Sequence, residues 1–351
     1  MYRSRIGKFI FVLISLACLL SCTKEGKVVY VISDEEDSYV GNLVYFVTRQ
    51  GTLGDVGYMD DMYRGVVRGT QGCGMMLSLV EIPSDTAKVV STIEYMLDYM
   101  SSEETARRAL VILANDGLEP LLHEYEHLLT RASNVDFLLV ETTDLTLPIY
   151  TLRIPQYGIY YQAGRLVADA LPDVTDVLCV SANPSAPELG DMYGGFAAGL
   201  SDGNPQIGID NVYLSDGSGG YDQALDAYKM SYGLEKQYGL VLPLCGGSAQ
   251  GFFRYNRENS HSFYTVGVDC DMQQYSSKVP FSVVKHIGDA LEDWIFRWWD
   301  EKEQIPSHED LGLESGYPEI VISDAFADSL EGIADKYYDQ ALEEERKYES
   351  R

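Results

Sequence analysis

Leu121–Leu129 reads Leu-Leu-His-Glu-Tyr-Glu-His-Leu-Leu, and His123-Glu124-Tyr125-Glu126-His127 has the H-E-x-x-H spacing. On one helix face such a pair of histidines holds zinc while the glutamate acts as general base. The neighbouring residues argue against that chemistry. At about 100° per residue, Leu121, Leu122, Tyr125, Leu128 and Leu129 form one apolar stripe, and His123 and His127 fall roughly opposite it. The leucines should pack on a sheet and the histidines face solvent. A zinc helix also needs a third ligand, and His261, His286 and His308 lie in other segments.

A second candidate is "CGGSAQG" from Cys245 to Gly251, which approaches the hydrolase turn G-x-S-x-G but has Gln250 in the last place. A glycine-rich turn after a strand, offering backbone N–H groups to a ligand, accounts better for Gly246, Gly247 and Ser248. In "GVDCD", Asp269 and Asp271 could hold a divalent cation, but no further ligand run is present, and an acceptor for ligand hydroxyls fits better. Asn115 and Asp116, in "ANDGLEP" after an apolar run, suit either a crevice or a turn with a helix cap. None of these residues forms a nucleophile–base–orienter set. The chemistry on offer is binding, with no enzyme activity, cofactor or metal expected.

The elements around these residues alternate. Apolar runs at 42–48, 75–82, 109–115 and 135–141 are separated by helix-length segments near 59–71 and 86–100 and by the histidine-bearing helix. The second half repeats the rhythm. Helices near 157–170, 190–201 and 221–236 alternate with strands at 176–182, 209–215, 239–245 and 263–269. Continuous apolar strands between helices imply parallel sheets covered on both faces, here two doubly wound α/β lobes joined by a hinge. Ligands of such sheets bind beyond the carboxyl ends of the strands.

The chain has 351 residues and a net charge of −28, which excludes nucleic acid and disfavours an anionic membrane surface as partners. Arg3, Arg5 and Lys8 precede an apolar run from Phe9 to Leu20, too short to span a bilayer and suited to a signal-peptide core. That run ends in Leu-Leu-Ser-Cys22, which resembles a bacterial lipobox with Cys22 as the lipidated residue. The expected address is the cell envelope, with a membrane contact through lipid only. Cys73, Cys179, Cys245 and Cys270 sit in or beside apolar runs and are expected as buried free thiols.

Further motifs carry a family resemblance. "YTVGVDCD" followed by "FSVVKHIGDAL" resembles the signature of the basic membrane lipoprotein family, the purine-nucleoside-receptor-like substrate-binding lipoproteins of ABC transporters. "GTLGDVGYMDDMYRGV", "YGIYYQAGRLVADAL", "YGGFAAGL" and "LPLCGGSAQGFF" resemble further family segments in the same order, from about 42 to 322. The resemblance implies a type I periplasmic-binding fold, a nucleoside or related small polar ligand, an ABC permease as partner and a monomer. It places Asp55 and Tyr58 in the first ligand loop, with Tyr58 as the base-stacking aromatic. Asp269 becomes the carboxylate for ribose hydroxyls, Lys285 a lysine reaching into the same crevice, and Gly246, Gly247 and Ser248 the glycine loop. Met59 and Gly158 depart from the pattern, where the family has asparagine and glutamate.

The expected organisation is a signal peptide (1–21), a tether (22–41), a first lobe (42–148 with 270–297), a second lobe (149–269 with 298–322) and an acidic C-terminal helix (323–351). A sensor or surface lipoprotein that keeps the fold without transport is the alternative function.

Overall fold

The computed structural model describes residues 28–31, 42–83, 85–100, 108–114, 117–300, 305–330 and 332–351. The expected signal peptide, Cys22, the tether apart from 28–31, and Asn115 and Asp116 lie outside the described residues.

The first lobe is built on a seven-stranded sheet. Its strands are β1 (Val28–Val31), β2 (Leu43–Arg49), β3 (Met76–Ile82), β4 (Ala109–Ala114), β5 (Val135–Val140), β6 (Tyr150–Arg153) and β13 (His308–Asp310). Their order is β1-β3-β2-β4-β5-β6-β13, parallel throughout except for the antiparallel edge strand β1. β4 shows why the sheet sits between two layers. Ala109, Val111 and Leu113 join one apolar cluster and Leu110, Ile112 and Ala114 the other, and all six are buried. A strand apolar on both faces needs helices on both. One layer holds α2 (Thr86–Met100) and the short α3 (Glu119–Glu124), and the other is the pair α1 (Tyr58–Gly72) and α8 (Ile287–Asp300). α1 and α8 approach closely because Gly65 faces Gly288. A methyl group on Gly65 would lie 1.9 Å from the Gly288 carbonyl oxygen.

The second lobe contains a parallel four-stranded sheet in the order β10-β9-β7-β8. These strands are β7 (Asp176–Ser181), β8 (Gly208–Tyr213), β9 (Leu240–Leu242) and β10 (Tyr264–Thr265). A small third sheet places β12 (Phe281–Val284) between β11 (Gly267–Asp269), which is parallel to it, and β14 (Glu319–Ile322), which is antiparallel. Around them lie α4 (Tyr157–Ala170), α5 (Pro187–Gly203), α6 (Ala224–Met230) and α7 (Gln250–Glu258). The tail forms the short helices α9 (Ala327–Leu330) and α10 (Ile333–Lys336), then α11 (Tyr338–Glu349) packed on α4.

The lobes divide differently from the sequence-based boundaries. Residues 150–153 and 308–310 pair in the first sheet, and Leu152, Ile154 and Trp298 pack in its core. Conversely Met272, Val279, Phe281 and Val283 pack with the second lobe. The chain therefore crosses between lobes near 154–156, 285–286 and 311–312. The C-terminal segment is also not one helix. Gly332, with a φ of 79°, sits in the left-handed region and cannot continue a helical run.

Candidate functional site

The two histidines of the motif do not share one helix face. α3 ends before the second histidine, which lies in a 3-10 turn at Glu126–Leu128. His123 and His127 are exposed, while Leu122, Leu128 and Leu129 are buried. His123 pairs with Asp144, and hydrogen bonds from Thr146 and His123 hold the Asp144 carboxyl down at about 2. Among the described residues no three ligand-type side chains gather around a metal position.

The described candidates among the rest lie at or just beyond the carboxyl ends of strands or at the start of α1. Asp55 lies in the loop after β2 and organises the start of α1. One carboxylate oxygen accepts N–H groups from Gly57 (2.9 Å) and Asp60 (3.2 Å), the other from Met59 (2.9 Å). The Asp60 carboxylate in turn accepts from Gly54 (2.7 Å) and Val56 (2.9 Å). This reciprocal arrangement satisfies N–H groups that a helix start leaves unpaired. Asp55, expected as a ligand group, thus works first as a helix cap. The Met59 side chain is buried in the first-lobe core.

Tyr58 presents its ring to Lys285, with Nζ 4.9 Å from the ring centroid. Lys285 is buried and donates to Glu141 Oε2 at 2.9 Å. Glu141 Oε1 accepts the Ile154 N–H at 3.0 Å, so one carboxylate joins two of the three crossovers. Sequence reasoning missed Glu141. Its signal is slight: a charged residue directly ending the apolar strand "VDFLLV".

Asp269, the last residue of β11, lines a narrow cavity with Asp55, Gly57, Gly246, Ala249 and Phe253. Burial pushes its carboxyl up to about 6, with Lys285 pulling it down and Asp55 and Glu141 pushing it further up. The lobes meet here, since a methyl group on Gly247 would lie 3.6 Å from the Asp55 Cα. Ser248 is fully buried, donating to the Gly220 carbonyl and accepting the Gln223 N–H, both at 2.7 Å. Its hydroxyl holds the second lobe's own loop. A wider groove of about 410 Å³ adjoins the next turn, with Asp61, Arg64, Cys270, Asp271 and His286 on its walls.

Backbone strain occurs at both, with Asp269 on the narrow cavity and Val56 and His286 on the wider groove. Among the described residues, four non-glycine residues have positive φ: Val56 (59°), Glu141 (62°), Asp269 (65°) and His286 (53°). Each is the last residue of a strand or lies in the loop after one. Such conformations cost free energy and persist where surrounding structure enforces them, commonly at ligand sites. The thiols are free as expected; Cys179 and Cys245 are buried, whereas Cys73 and Cys270 are partly exposed.

No family model matches the chain, and no curated protein matches it. Solved structures do. An ABC transporter solute-binding protein from Aeropyrum pernix is 17% identical, with a TM-score of 0.65 over 88% of this chain and 86% of that one. A transcriptional activator of the comK gene from Bacillus halodurans is 16% identical, with a TM-score of 0.64 over 86% and 98%. An ABC transporter solute-binding protein from Conexibacter woesei is 14% identical, with a TM-score of 0.60 over 89% and 98%. The chain has the two-lobed α/β fold of type I periplasmic-binding proteins.

Proposed function

We propose that this protein is an extracytoplasmic solute receptor, anchored through lipid on Cys22, that closes its lobes over a small polar ligand for an ABC permease. The observation that carries the reading is Asp269, held at positive φ in a cavity that it shares with Asp55 and Gly57 of the first lobe and Gly246 of the second. The Asp269 backbone carbonyl accepts the Lys285 N–H at 3.0 Å, while its carboxylate accepts no hydrogen bond among the described residues and is left for ligand hydroxyls. Lys285, held by Glu141 and facing the Tyr58 ring, sets a positive charge close to that carboxylate. The motif resemblance supports a nucleoside or a related hydroxylated molecule as the ligand, and the wider groove has monosaccharide-scale room. With Gly247 already against Asp55, such a ligand enters by opening of the hinge.

A thermal-shift screen of nucleosides, bases and sugars tests this. A ligand at about a hundred times its Kd stabilises the native state by about 2.7 kcal/mol, a rise of several degrees in Tm. Absence of any shift across the panel would count against the receptor. A second reading, a sensor without transport, is favoured by the similarity to a structure described as a transcriptional activator. Deleting the gene lowers cellular uptake of the identified ligand under the first reading and leaves it unchanged under the second.

A further inference from the structure

The acidic α11 lies along the hinge. Its Tyr348 ring stacks on Tyr157 at the start of α4, with centroids 3.9 Å apart and planes 6° from parallel. Tyr348 also donates to Asp191 at 2.6 Å. At its end, Glu349 accepts from Arg153 at 2.5 Å, and Arg153 grips Asp310 at 2.8 and 3.1 Å. Arg153 closes β6 and Asp310 closes β13, so they stand where two crossovers leave the first lobe.

One turn earlier, Glu345 points into the protein. Its Oε1 accepts the Leu313 N–H at 3.0 Å, just beyond the third crossover. Two glycines make room for it. A methyl group on Gly158 would lie 2.7 Å from Oε2, and one on Gly312 would lie 2.3 Å from Oε1. Glu345 is only 6% exposed, and its Oε2 has no hydrogen-bond partner among the described residues. A buried carboxylate with an unpartnered oxygen is costly when charged and much less so when neutral.

We propose that α11 is a splint across the hinge, clasped by Glu345, which holds while that carboxyl is protonated and slackens when it ionises, easing lobe opening. Only the purpose of opening rests on the receptor reading; the clasp itself rests on the contacts. The groups facing Glu345 are Arg153 from β6, Glu349 and Arg346 on α11, and the Leu313 N–H from the third crossover, with Gly158 and Tyr157 on the α4 side. Burial raises the carboxyl most, the Leu313 N–H lowers it, Glu349 raises it, and Arg153 and Arg346 lower it, leaving it at about 7. A carboxyl that binds its proton more tightly when docked favours docking fully at low pH. That contribution is lost as pH rises from the ordinary glutamate range through about 7.

Hydrogen exchange of 338–349 and 311–314, corrected for the intrinsic pH dependence of exchange, tests the clasp on the full chain. Wild-type protection should fall roughly tenfold or more between about pH 5.5 and 8. Glu345→Gln, neutral throughout and nearly isosteric, should keep the same protection at both ends. Small-angle scattering should show the radius of gyration rising with pH in the wild type alone. A flat wild-type exchange profile, which needs no variant, overturns the clasp, as does a Glu345→Gln profile with the wild-type slope. Lost protection without a change in radius overturns the link to lobe opening. A protein that binds no solute yet shows both pH responses loses the receptor reading and keeps the splint.

Discussion

Glu141 divides its carboxylate between the Ile154 N–H and Lys285, two residues from different crossovers. The pair is buried, with side-chain exposures of 4% for Lys285 and 12% for Glu141. Removing one partner strands the other charge out of water, at a cost of about 3–5 kcal/mol. Glu141→Ala should therefore lower the urea midpoint strongly, and Glu141→Ala with Lys285→Met should recover most of the loss. A single-variant cost below about 1 kcal/mol would show that water reaches Lys285. Asp269 makes the opposite contribution. Its carboxyl stands at about 6 against an ordinary 3.8, so the native state holds its proton more tightly than the unfolded chain. The stabilisation is complete below about pH 4 and lost as pH rises through 6. Asp269→Asn should thus match the wild type near pH 4 and exceed it by roughly 1–3 kcal/mol at pH 7.5, measured by denaturant titration at both pH values.

At the scale of elements, α4 and α5 are packed backbone to backbone. A methyl group on Gly199 would lie 2.0 Å from the Tyr161 carbonyl oxygen, and one on Gly164 would lie 2.2 Å from that of Phe196. Neither helix can move without disturbing its core, so Gly199→Ala should cost about 1–3 kcal/mol or more in chemical denaturation. An unchanged midpoint would mean that the helices separate easily. The apolar rhythm made most elements legible: 86–100 and 157–170 are helices over the expected residues, and "ALVILA" is a central strand. The failures have local causes. "FYTVGVD" reads as one strand but serves two sheets, because the Val266 N–H bonds to Val241 while β11 turns to β12. The expected helix at 221–236 shrinks to Ala224–Met230, and Gly233, with a φ of 91°, keeps the chain beyond it from rejoining that helix. Of the candidate site, Asp269 and Lys285 stand out in the sequence as motif residues. Glu141 does not, because its partner Lys285 is 144 residues away in sequence.

For the whole molecule, three crossovers join two independently layered lobes, and the candidate ligand groups lie where those lobes meet. The central claim is that Asp269 holds a polar solute there. Calorimetric titration of the wild type and Asp269→Ala with the solute found by thermal shift tests it most directly. Charge-assisted hydrogen bonds of about 1.5–3 kcal/mol each predict that Asp269→Ala binds roughly ten- to a hundredfold more weakly. Equal affinities for the two proteins would contradict the account.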